Sequence, residues 1–157
     1  MTWSVGARGS AGQARLRLID DDTNAFTAYM EARRLPNGTP AEKSARDVAM
    51  QAGLKLAVEV PWSTAKACYE AMEASESAMH HGNIASITDT MVGFTLAFAG
   101  VRGGIWNVLI NLKDLTDAAY VARMKDECAQ LLAKAQTLLD RAAAHGDAQL
   151  EAMLAKR

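Results

Sequence analysis

The chain has 157 residues, a formal net charge of −1, 50% hydrophobic residues and only 6% aromatic ones. That length is enough for one domain with a substantial core. A near-neutral balance with Lys and Arg scattered along the chain excludes a basic stripe that follows a phosphate backbone, so no nucleic acid is expected as a partner. Abundant Ala, Leu and Met predict an all-α fold, a bundle of about five helices in a single domain over 1–157. Cys68 and Cys128 match neither a zinc-ligand spacing nor a disulfide framework and are expected as free thiols. The N-terminus lacks the unbroken apolar core of a signal peptide, so the expected location is cytoplasmic.

In chain order, Met1 to Ala14 is rich in Gly, Ser and Ala and is expected as a flexible arm. A first long helix is predicted from about Gln13 to Arg34. At about 100° per residue, Leu18, Ile19, Ala25, Phe26, Tyr29 and Met30 share one side of it, and Asp22 falls near the middle of that side. Asp20 points to the opposite face and Asp21 to the flank. A carboxylate on an apolar face must be paired, hydrogen-bonded or raised in pKa, which makes Asp22 the first candidate for chemistry; capping or ion pairing is the structural alternative.

Leu35-Pro36-Asn37-Gly38-Thr39-Pro40 interrupts the pattern with turn residues. Thr39, Pro40 and Glu42 form a capping-box signature for a second helix reaching about Val60. Pro61 has no N–H for the preceding turn, so a kink or stop is expected there, with a third helix beginning at Trp62-Ser63-Thr64 and ending near His81 before Gly82. His80 and His81 diverge by about 100° on a helix and cannot hold one ion together, so no metal is expected from them.

The fourth helix, about Ser86 to Leu112, is the most apolar segment. Met91 to Leu112 approaches membrane-spanning length, with Gly100 and Gly104 at GxxxG spacing. Arg102, Asn107 and Asn111 argue instead for the buried centre of a bundle, with no membrane partner. Ser86, Asp89, Gly93, Gly100, Gly104, Asn107 and Asn111 fall within about 60° of one another around its axis. This stripe is the second candidate site, with close helix packing as the structural alternative. Thr116 is the expected N-cap of a last helix from about Asp117 to Ala144, which His145-Gly146-Asp147 should break before a short amphipathic tail.

Asp20-x-Asp22-x-x-Ala25-Phe26, Arg34-Leu35-Pro36-Asn37-x-Thr39-Pro40-x-Glu42-Lys43, Val60-Pro61, Gly82-Asn83 with Asp89, and Asn107-Val108-Leu109-Ile110-Asn111-Leu112 follow one another in a familiar order. The series resembles the cyclodeaminase domain of formimidoyltransferase-cyclodeaminase, a family that includes the stand-alone methenyltetrahydrofolate cyclohydrolases. The resemblance runs from about Leu18 to Leu139. It implies an all-helical homodimer or higher homo-oligomer acting on a reduced folate. The implied reaction closes N5-formimidoyltetrahydrofolate to the 5,10-methenyl form with release of ammonia, or hydrolyses the methenyl form to 10-formyltetrahydrofolate.

The family's catalytic aspartate falls on Asp22. Substrate contacts are expected at Asn83, Ser86, Asp89, Asn107 and Asn111, and no cofactor or metal is expected beyond the tetrahydrofolate substrate. The chain departs from the family at its start, where Met1 to Ala14 stands in place of a Ser-Pro-x-Pro-Gly-Gly-Gly-Ser segment. Loss of that segment's helical hairpin implies exposed apolar surface and strong pressure to dimerise. It also keeps open the alternative of a non-catalytic protein of the same fold that binds another small ligand or a protein partner.

Overall fold

A computed structural model describes residues 27–81 and 83–155, with His81 described by its backbone only. Among the described residues there are four α-helices and no strand. The helix α1 covers 27–34, and is followed by α2 (Pro40–His81), α3 (Ile87–Asn111) and α4 (Ala118–Leu154), with single 3-10 turns at Ile84–Ser86 and Leu112–Asp114. The chain forms two compact units: Met1–Thr64 with Asn107–Val121, and Ala65–Trp106 with Ala122–Arg157.

The first unit shows how local sequence rules are kept and how one is overridden. The capping box closes as expected: the Thr39 N–H donates to Glu42 Oε2 at 2.8 Å and the Glu42 N–H donates to Thr39 Oγ1 at 3.2 Å. These bonds hold the Glu42 carboxyl below its ordinary pKa. Pro61, however, does not end the helix, because α2 runs unbroken for 42 residues with Pro61 inside it. Without an N–H at Pro61 the carbonyl of Ala57, four residues earlier, loses its helical donor. Asn111 Nδ2 replaces that donor at 2.8 Å. Val60 and Trp62, both buried, hold the two sides of the proline in the core, and the expected second and third helices are therefore one.

In the same unit, α2 and α4 run in the same direction, since Lys55 meets Asp117 and Glu59 meets Tyr120. Asp117 is the N-cap of α4, its Oδ1 accepting from the Tyr120 N–H at 3.0 Å. The expected cap, Thr116, is used otherwise: its N–H and hydroxyl both donate to Gln51 Oε1. Gln51 of α2 thus engages Thr116, Asp117 takes the capping position, and the helix starts one residue later.

The second unit is built around Phe94, Met72, Val101, Met124 and Cys128, all essentially inaccessible. Here α4 passes straight through His145-Gly146-Asp147, where the sequence predicts a break. Gly146 is buried, and a Cβ on it would overlap the side chain of Met91 on α3. Glycine serves there as the place where another helix comes close, not as a stop. Gly100 plays the same part on α3, where a Cβ would lie 2.5 Å from Cys68 Sγ.

Burial, with a smaller contribution from Glu127, pushes the Cys128 thiol up to about 11, whereas Cys68 is only half-buried. At about pH 8 a thiol reagent should therefore modify Cys68 first and leave Cys128 intact until the protein is denatured, which mass spectrometry of the alkylated chain will read.

Candidate functional site

The expected site residues divide between the two ends of α3. Asn83 is exposed, and its Oδ1 accepts from the Ala85 N–H at 3.0 Å, which caps the 3-10 turn leading into the helix. Ser86 is exposed, with its carbonyl accepting from the Thr90 hydroxyl. Asp89 is exposed in the first turn of α3, where a carboxylate is favoured by the helix dipole. At the other end Asn107 is exposed and Asn111 is half-buried, its amide committed to the Ala57 carbonyl.

At 1.5 Å rise per residue, Asp89 and Asn107 are about 27 Å apart along the helix. Of the residues in the expected stripe, Asp89, Gly93 and Asn107 are exposed, Asn111 is half-buried, Gly104 is buried, and Ser86 lies in the 3-10 turn before the helix. Of its glycines, Gly100 serves close packing, while a Cβ on Gly93 would meet nothing within 4 Å. Asp22 lies outside the described residues. The helix it is predicted to share is seen from residue 27 onward, and the Tyr29 side of α1 faces α2: the Tyr29 Cα would stand 3.0 Å from a Cβ on Gly53.

Two features of the first unit are not anticipated by sequence. Gln51, Lys55 and Glu59, one turn apart on α2, form a polar ladder to the start of α4. Gln51 Nε2 donates to the Asp114 carbonyl at 3.0 Å, Lys55 Nζ pairs with Asp117 Oδ2 at 2.8 Å, and Tyr120 Oη donates to Glu59 Oε1 at 2.7 Å. Lys55 also lies 5.0 Å from the centre of the Tyr120 ring. With both partners about 40% exposed, the ion pair contributes at most about 1 kcal/mol, so the ladder fixes register more than it adds stability. The i, i+4, i+8 spacing of three polar residues was the available signal.

The second feature is Arg46 on α2, which is half-buried. Among the described residues its Nε is buried with no hydrogen-bond partner. A buried donor left unpaired costs about 1–3 kcal/mol. No sequence signal distinguishes it from the other arginines.

In the second unit, α2 and α4 border an open groove lined by Tyr69, Lys134, Thr137 and Arg141. Arg141 is already engaged by Glu76 at 2.5 Å, and burial with the nearby Glu73 raises the Tyr69 phenol. Among the described residues no group of three or more His, Cys, Asp or Glu side chains could hold a metal ion.

The sequence pattern of the family described as Formiminotransferase-cyclodeaminase matches residues 7–130. The chain belongs to this family. All of Asp22, Asn83, Ser86, Asp89, Asn107 and Asn111 fall inside the matched range.

This cyclodeaminase-family chain is 42% identical over 140 residues to a formimidoyltransferase-cyclodeaminase of Gallus gallus, covering 89% of the chain and 24% of that protein. It is 38% identical over 124 residues to a methenyltetrahydrofolate cyclohydrolase of Methylorubrum extorquens, covering 79% of the chain and 60% of that protein. Its fold matches the crystal structure of a formiminotetrahydrofolate cyclodeaminase from Thermotoga maritima with a TM-score of 0.69 at 22% identity, over 96% of this chain and 69% of that one. The chain thus spans about a quarter of the length of the animal relatives, 24% in the Gallus gallus protein.

Proposed function

We propose that this chain catalyses a folate-dependent ring closure, converting N5-formimidoyltetrahydrofolate to 5,10-methenyltetrahydrofolate and releasing ammonia. The observation that carries the reading is the 42% identity to a formimidoyltransferase-cyclodeaminase over 89% of the chain. In this reaction N10 attacks the amidine carbon, a C–N10 bond forms, and the bond to the terminal nitrogen breaks. The nitrogen leaves as ammonia, carrying the proton from N10 and one taken up from solution. A single carboxyl group that exchanges protons near neutral pH serves both transfers, and Asp22 is the residue assigned to it. No cofactor beyond the folate enters this scheme, and a cytoplasmic location accords with the free thiols. The second reading, hydrolysis of the methenyl form to 10-formyltetrahydrofolate, is favoured by the longer share of the cyclohydrolase relative that the chain covers, 60%.

Arg46 is proposed as a substrate-gripping residue, since its unpaired buried N–H suits a carboxylate or ring carbonyl of the folate. Calorimetric titration with 5-formyltetrahydrofolate, a stable reduced folate, tests this. Wild-type protein should bind saturably, and Arg46→Leu should bind at least about tenfold more weakly. The apo variant should be at least as stable as wild type, because an unsatisfied buried donor is gone. Undiminished binding in Arg46→Leu overturns the assignment, and absence of binding by folded wild-type protein opposes the folate reading itself.

A homodimer belongs to the same proposal. One helical segment, Ile84–Asp114, is long and apolar enough to cross a membrane. Within the second unit its face carries Val92, Leu96 and Trp106 at 60%, 67% and 61% exposure. These positions repeat at helical spacing with Ala99 and Gly103 between them, a stripe that fits a second copy of the same helix. Exposed Arg102, which stacks on Trp106 at 5.2 Å, suits the rim of a protein interface better than lipid. Leu96→Asp should halve the mass measured in solution by light scattering; a wild-type monomer would contradict the proposal.

A further inference from the structure

The continuity of α4 brings together two side chains that the sequence keeps 65 residues apart. In the second unit the imidazole of His80, near the end of α2, meets that of His145 on α4 with ring centroids 4.5 Å apart and planes inclined at 60°. One turn earlier on both helices, Glu76 and Arg141 form an ion pair, so the register that delivers the two rings to each other is fixed by a neighbouring contact. His80 is exposed and His145 half-buried, so solvent reaches both residues.

We propose that His80 and His145 together form a binding site for a divalent transition-metal ion that joins the end of α2 to α4. Imidazole nitrogens bind such ions at about 2.0–2.1 Å. With each ring centre roughly 1.1 Å beyond its nitrogen, two cis ligands have centroids about 4.5 Å apart at a right angle and about 5.2 Å apart at the tetrahedral angle. The observed 4.5 Å lies within the reach of two imidazoles on one ion. Among the described residues no third ligand completes the group, and water fills the remaining positions. The ion takes no part in the proposed folate reaction. Its effect is to hold two helix segments that the Glu76–Arg141 ion pair also joins, and to stabilise the folded chain by mass action.

The test is titration of the full chain with nickel(II) chloride, followed by calorimetry and by the thermal midpoint, together with electron paramagnetic resonance of the copper(II) complex. One ion per chain should bind saturably, with hyperfine structure from two imidazole nitrogens, and should raise the thermal midpoint in a way that EDTA reverses. His80→Ala and His145→Ala should each weaken binding at least tenfold while leaving the midpoint in EDTA close to that of wild type. If either alanine variant loses its helical circular dichroism, His80→Gln and His145→Gln, which retain the bulk, take its place. No saturable binding by wild type would reduce the pair to a tilted ring contact and overturn the proposal. Binding undiminished by either substitution would do the same.

Discussion

Asp22→Asn should lower turnover of N5-formimidoyltetrahydrofolate by about 100- to 10,000-fold, the range associated with loss of a general acid–base group, while binding of 5-formyltetrahydrofolate changes little. The amide keeps the size and hydrogen-bonding shape of the carboxyl group but cannot accept the N10 proton or hand one to the departing nitrogen. A role in binding alone would instead raise KM and leave kcat unchanged. The expected result is thus a fall in kcat with the helical circular dichroism intact, and an unchanged kcat removes Asp22 from the chemistry.

Asn111→Leu should destabilise the fold by about 1–3 kcal/mol, because it leaves the Ala57 carbonyl without a donor. The cause lies in another residue: that carbonyl needs Asn111 only because Pro61 has no N–H to offer it. Pro61→Ala supplies a backbone donor at the right place in α2. In the Pro61→Ala background the cost of Asn111→Leu should therefore shrink, giving a coupling energy between the two positions that a double-mutant cycle in urea will measure. Additive effects would show that Asn111 acts elsewhere. Both outcomes bear on function, since an asparagine committed to the backbone is less available to a substrate.

These two residues also show where sequence reading succeeds and where it stops. The capping box at Thr39 and Glu42 and the extent of α3 were legible because they rest on contacts within a few residues. By local rules Pro61 predicts a kink or stop and Gly146 a break; the helix continues through both, and each is compensated by a partner far away in sequence. For Pro61 that partner is Asn111, 54 positions from the carbonyl it serves. For Gly146 it is Met91. The helical spacing groups Asn111 with the other polar residues of α3, but nothing in that spacing distinguishes a ligand from the Ala57 backbone carbonyl that its amide meets. Local rules put His145 in a break, which gives no signal of its meeting with His80. Arg46 had no signal at all, because an unsatisfied donor is visible only once its surroundings are packed.

The most direct test of the central claim is incubation of the purified chain with N5-formimidoyltetrahydrofolate, following ammonia and 5,10-methenyltetrahydrofolate together. Catalytic turnover is expected, with one ammonia released for each methenyl product formed and both abolished together in Asp22→Asn. A folded wild-type protein that forms neither product, and binds no reduced folate, would contradict it.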